Sequence, residues 1–330
     1  MTVNETLATY SNYLVYGAMA AFTVAMIAFA VSFASMRGRD LEPAASLPVA
    51  EEGGAVAVAT RVSTTTGGPD DGALPPGRRA GNIGMSTMWL GTILLGIGVL
   101  LRGLAVQRAP WGNMCEFSMT SALAISVTFV LMSLRRDLRW LGVFVVTPVL
   151  LILGASMTFL YTEAAQLVPA LKSYWLVIHV SAAMICGAAF CIGATVTLLF
   201  LVADASERRH AEGRSYRLDG LAARLPESHR LDAMAYRIHA FMFPLWTFAI
   251  IAGAIWAENA WGRYWGWDPK ETWAFITWVA YAAYLHARAT AGWKGRRAAV
   301  IALVAFGCFV FNYVGVNIFI TGLHSYAGVG

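Results

Sequence analysis

The residues of this chain best suited to chemistry are a run of tryptophans and six histidines. From Trp261 to Trp273 the sequence reads WGRYWGWDPKETW, which puts four tryptophans, a tyrosine, two glycines and a compact charged turn into thirteen residues. Indole faces stack on conjugated rings, and Gly262 and Gly266 let backbone approach closely, so the stretch is suited to hold a large, flat, apolar ligand. Arg263 and Lys270 stand where they could hold acidic groups at its rim. A porphyrin with two propionates meets that description, and so do a quinone and a lipid. Tryptophan and tyrosine also gather where apolar rings meet wet lipid headgroups.

The histidines sort by position. His210 and His229 fall in a strongly charged stretch, where a solvated imidazole is the ordinary expectation. His179 opens one long apolar run and His324 follows another. A neutral imidazole is an axial ligand for heme iron, and a lone histidine at a helix end is otherwise an interfacial polar residue. His286 lies 19 residues after Trp267, roughly 28 Å further along a helix at 1.5 Å per residue. His239 falls at a similar depth, so a site closed by His239 and His286 within this chain is conceivable. The cysteines Cys115, Cys186, Cys191 and Cys308 form no CxxC or CxxCH, which argues against self-attached heme, a zinc site or a thiol redox centre.

The elements that must position these groups are membrane helices. The chain is 58% hydrophobic and 13% charged, with a mean hydropathy of +0.59, too apolar for a soluble domain. Runs long enough to span a bilayer appear near 13–35, 83–101, 115–134, 140–160, 175–203, 241–257, 269–288 and 298–320. The expected fold is therefore an all-α integral membrane protein of about eight transmembrane helices. The first, within 1–36, is too long for a signal peptide and lacks a small-residue cleavage site, so it is read as retained. Residues 37–82 carry no sustained hydrophobic period and read as a disordered cytoplasmic linker. Asp204 to Arg237, rich in both charges, reads as a solvated cytoplasmic loop with one short amphipathic helix. Within the seventh span, Asp268, Pro269 and Glu271 suit the N-cap, first and third positions of a helix. With both termini outside, 19 of the 24 Lys and Arg are internal and only Arg102, Arg108, Lys172, Arg263 and Lys270 are external, the asymmetry that orients membrane proteins. The segment 261–273, His179 and His324 then face the outer side, with His239 and His286 near the inner face.

The string WGRYWGWDPKETWAFITW resembles the tryptophan-rich signature of the heme-handling membrane proteins of cytochrome c assembly, and its DPKETW ending is similar to the CcsA/ResC type. The resemblance includes APWGNMCEF (Ala109 to Phe117), YWLVIH (Tyr174 to His179) and GLHSYAG (Gly322 to Gly328), and covers Gly84 to the C-terminus. Cys115 departs from it, standing where an aromatic residue is expected. The resemblance implies a seven-helix heme-handling domain over 83–330, in the bacterial cytoplasmic membrane, acting as a subunit of the System II cytochrome c synthetase. It implies heme b held externally between His179 and His324, with Trp261, Trp265, Trp267, Asp268 and Trp273 around it. It also implies a transmembrane heme site with His286 as one iron ligand and a ResB/CcsB-type membrane partner supplying the other. The product of such a complex is heme joined by thioethers to the CxxCH thiols of apocytochrome c, with thiol-reducing proteins as further partners. No residue is an evident general acid or base for that addition, so the term enzyme attaches to the complex. A heme chaperone serving a separate ligase is the alternative reading, and an unrelated channel or quinone-linked protein is a third. Nothing in the sequence suggests nucleic acid.

Overall fold

The computed structural model describes residues 3–36, 77–163, 173–290 and 292–324, and every regular element within them is helical. In chain order these are α1 (Glu5–Ala34), α2 (Arg78–Val106), α3 (Met114–Ser133), α4 (Arg139–Thr158), α5 (Tyr174–Ala211), the short α6 (Asp219–Ala222), α7 (Ser228–Trp261), α8 (Pro269–Ala289) and α9 (Arg296–Val310). The last continues through a π-helical turn, Phe311–Gly315, into α10 (Val316–Phe319). Seven of these helices, the last counted from Arg296 to Phe319, are long and apolar enough to cross a membrane, and the chain is a multi-pass membrane protein. The remaining expected span, the seventh in chain order, is α8; it has 21 residues but is less apolar, because Trp273, Trp278, Tyr281, Tyr284, His286 and Arg288 dilute its aliphatic content.

Two expectations need correction. The linker reading of 37–82 lies outside the described residues up to 76, but from Arg78 the chain is already helical. The stretch Asp204 to Arg237 is mostly helix, not loop. α5 has 38 residues and α7 has 34, about 57 and 51 Å at 1.5 Å per residue, against a hydrocarbon core of about 30 Å. Their arginine-rich ends therefore project beyond the apolar layer. The turn between them is tied down locally: Asp219 accepts from the Ser206 hydroxyl at 2.5 Å and from the Tyr216 amide at 2.8 Å. Glu207 accepts from both the amide and the hydroxyl of Ser228 at the start of α7.

α5 is the shared spine. On one side it packs into a large core with α1 to α4, and on the other it joins α7, α8 and α9 around Phe190, Trp246 and Tyr281. Lipid tails are as apolar as leucine, so helices associate here by close packing more than by escape from water. The α1–α2 pair shows how: a Cβ on Gly91 would sit 2.7 Å from the Phe22 ring, and one on Gly84 equally close to Phe29. Gly91→Val should overpack this seam and cost about 1–3 kcal/mol. Unfolding of the purified chain by denaturing detergent should show it as a lower midpoint, and an unchanged midpoint would count against the seam.

Candidate ligand-binding site

At the tryptophan-bearing end of α5, α7 and α8 lies a cleft with about 1270 Å³ of atom-free space, part of it open to solvent. Its wall includes Trp111, His179, Trp246, Trp256, Trp261, Trp265, Lys270 and His324. Helices α5, α7 and α8 and the segments before α3, between α7 and α8 and after α10 supply these groups.

His179 lies in the second turn of α5, where Ser173 caps the helix by accepting from the Trp175 amide. Its Nδ1 is 2.7 Å from the Ala249 carbonyl oxygen on α7. A carbonyl only accepts, so Nδ1 carries the proton and Nε2 the lone pair. The approach depends on Gly253, since a Cβ there would lie 2.7 Å from the imidazole. The ring then stacks almost parallel to Trp256, at 5° and 6.4 Å.

His324 comes from the segment after α10. Its Nδ1 is 2.7 Å from Asp268 Oδ2, while Asp268 Oδ1 accepts from the Leu323 amide at 2.7 Å. The carboxylate fixes the same tautomer as in His179. Asp268 also caps α8 as expected, in a full capping box with Glu271 and with Pro269 in the first turn. One carboxylate thus starts a helix and grips a residue 56 positions away. Burial raises its pKa, but hydrogen bonds from His324 and the Leu323 amide outweigh that and hold it below the usual carboxylate value. A depressed carboxylate contributes its stability above its unfolded value and loses it as pH falls through the folded one. The His324 tether therefore persists through the neutral range and is released only in acid. Asp268→Asn should weaken retention of a metal-bearing ligand by about 10–100-fold, as loss of an outer partner of a histidine ligand does. Equilibrium titration with hemin checks this, and unchanged affinity would remove Asp268 from the site.

The tryptophan run divides. Trp261 and Trp265 line the cleft, and Trp261 meets the His324 ring edge-on at 5.0 Å. Trp267 is 65% exposed and points away, because its backbone is left-handed, φ 58°, a costly conformation for a bulky residue. Glu271 Oε2 holds it there by accepting from the flanking amides of Gly266 and Asp268, at 2.8 and 3.1 Å. Trp273 packs on Phe311 at 4.3 Å and not on the cleft. In compensation the site gains Trp256, which the sequence hid inside an apolar run. It touches both His179 and His324. The available signal was its helical register with Gly253 and Trp261.

The opposite wall, Trp111 to Met114, rests on a buried acid. Glu116 accepts from Arg102 Nε at 3.4 Å, Arg108 Nη1 at 2.7 Å and the Gly112 amide at 2.9 Å. Asn113 caps α3 through the Glu116 amide. Cys115 is buried in the first turn of α3.

The other histidines do not join the cleft. His286 is exposed on α8, whereas His239 is fully buried against Gly193, Phe190, Tyr281 and Tyr284. Tyr281 and Tyr284 lie on the inward face of α8, and two residues of helix turn His286 to the other side. A site closed by His239 and His286 is therefore ruled out in this arrangement. His210 pairs with Asp219 and His229 with Glu227. Among the described residues no three His, Cys, Asp or Glu side chains converge on a bare metal ion. Two imidazoles facing an aromatic cleft suit a metal whose other ligands come with a flat macrocycle.

Residues 111–324 match the family described as Cytochrome C assembly protein, a span that runs from Trp111 in one wall of the cleft to His324 in the other. The chain belongs to the cytochrome c assembly protein family. Relatives named cytochrome c biogenesis protein CcsA include one from Prochlorococcus marinus, 37% identical over 71% of this chain and 80% of its own length. One from Guillardia theta is 37% identical over 74% and 85%, and one from Chlamydomonas reinhardtii is 38% identical over 72% and 67%. The match to the cytochrome c assembly family spans every group placed in the cleft, whereas α1 and α2 lie before it.

Proposed function

We propose that this chain is the heme-handling subunit of a cytochrome c synthetase and presents heme in the cleft to apocytochrome c. The observation that carries the reading is the pair His179 and His324, each with its Nδ1 proton committed, on the walls of one tryptophan-lined cleft. The iron of heme b is the cargo held by their Nε2 atoms, with Trp256, Trp261 and Trp265 against the macrocycle. Membership of the family and relatives named for cytochrome c biogenesis support the same assignment.

On this reading the tryptophan-rich end faces the outer side of the bacterial cytoplasmic membrane. Both CxxCH thiols of the apocytochrome add across the heme vinyl groups, sulfur to one carbon and hydrogen to the other, so nothing is released and no redox partner is consumed. The chain supplies binding and orientation, and the porphyrin and thiols carry the bonds that form. Thiol-reducing proteins keep those thiols available. His286, exposed on α8, serves an inner heme site whose other iron ligand comes from a ResB/CcsB-type membrane partner.

The test is the absorption spectrum of the gently purified chain, oxidised and reduced, alone and with the partner. A bis-imidazole heme spectrum is expected. Preparations without heme, even with the partner present and hemin added, would overturn the proposal and return the tryptophans to an interfacial belt.

A further inference from the structure

Two cations accompany the tryptophan-rich segment, and the fold treats them differently. Arg263 is paired with Glu271 at 3.2 Å and lies over the Trp261 ring at 5.7 Å, so its charge is matched and it fastens the loop. Lys270, in the first turn of α8, lines the cleft itself. Its ammonium donates to the Asn312 carbonyl at 2.9 Å, which accounts for one of three hydrogens. Among the described residues no carboxylate forms an ion pair with it, and the nearby acids are already engaged. Asp268 holds Leu323, His324 and the Lys270 amide, and Glu271 holds Arg263 and the amides of Gly266 and Asp268.

Asn312 lines the same cleft, is only 9% exposed, and its Oδ1 has no hydrogen-bond partner among the described residues. It lies in the π-helical turn Phe311–Gly315, an irregularity that recurs at functional sites. A half-buried cation beside a buried, unsatisfied amide is costly unless something arrives to pair with both. The two ends of an amide exchange by a half-turn, so Asn312 can turn its NH2 toward an incoming acceptor.

We propose that Lys270 and Asn312 form the carboxylate-binding pole of the cleft, so that the ligand taken between His179 and His324 must carry an acidic group on its edge. This rests on the heme reading above, in which the group is a propionate. Arg263 is not the anchor. Because the propionates and vinyls of heme b occupy opposite edges of the macrocycle, fixing one edge at the first turn of α8 turns the vinyl edge away from it. The pole thereby sets which carbons meet the thiols of the acceptor.

The experiment titrates the purified full-length chain with hemin and with hemin dimethyl ester, whose carboxyls are capped. The wild type should bind the free acid about ten- to a hundredfold more tightly, the scale of a hydrogen bond to a charged group. Lys270→Met should bind both alike while keeping the bis-imidazole spectrum. Lys270→Arg and Arg263→Gln should keep the preference. Equal binding by the wild type, a preference surviving in Lys270→Met, or its loss in Arg263→Gln would overturn the proposal and leave the heme site standing. Failure of the wild type to take up hemin with a spectrum that depends on His179 and His324 would sink both readings together. The wild-type comparison needs no substitution, so misfolding of a variant does not shield the proposal.

Discussion

Alanine at His179 or at His324 is expected to abolish the bis-imidazole spectrum of the purified chain and to loosen heme by more than about a hundredfold, beyond the 10–100-fold typical of losing an outer partner. Each side chain has its Nδ1 engaged, with the Ala249 carbonyl for one and Asp268 for the other. Nε2 is therefore the nitrogen left available to a metal, and among the described residues no other histidine lines the cleft to replace it. Added imidazole should restore part of the spectrum by entering the vacated space. Gly253→Ala should mimic His179→Ala in milder form, because the new methyl would meet the imidazole at 2.7 Å. His229→Ala, on a solvated residue paired with Glu227, should change nothing. Spectra of either principal variant that match the wild type would remove the pair as iron ligands.

The largest loss of stability is expected from Glu116→Ala. The carboxylate side chain is wholly buried, and so nearly is Arg102, while Arg108 is 12% exposed. Removing the acid takes the only anionic group of this network from two guanidinium groups in a place from which water is largely excluded, leaving Arg102 with the Asn12 and Thr162 oxygens and Arg108 with carbonyl contacts such as Ala109. Breaking a buried pair costs about 3–5 kcal/mol. The Gly112 amide loses its acceptor at the same time, so the Trp111 wall of the cleft should loosen and heme retention fall with it. Replacing Arg102 and Glu116 together by methionine should cost less than the single change, because the uncompensated charge is reduced. Thermal or detergent unfolding of the three proteins measures the coupling. A single variant as stable as the wild type would show that the network does not hold this wall.

Much of the architecture was readable along the chain because its signals are local. Apolar runs of about twenty residues mark membrane helices wherever they occur, and the observed helices begin and end within a few residues of the expected ones at α3, α4 and α8. Asp268-Pro269-Lys270-Glu271 carries its own capping chemistry, so the start of α8 was fixed by four neighbours. Where charges cluster, length was misjudged. α5 and α7 run on through the arginine-rich stretch because helix propensity, and the hold of Glu207 on the amide and hydroxyl of Ser228, do not depend on apolarity.

The composition of the site was decided elsewhere. Sequence alone marked His179, His324 and the tryptophans as candidates, since residue type and nearness to helix ends are properties of short segments. Which tryptophans face a ligand depends on a left-handed residue at Trp267 and on the packing of Trp273 against Phe311. That Trp256 touches both histidines depends on α5, α7 and the C-terminal segment meeting in space. Whether His239 and His286 converge was settled by the rotation of α8 about its axis, and whether Arg263 or Lys270 has a charge to spare was settled by where Glu271 lies. These are contacts between residues many turns apart. The chain's local physics sets its helices and their ends, and only their packing determines which side chains share a cleft.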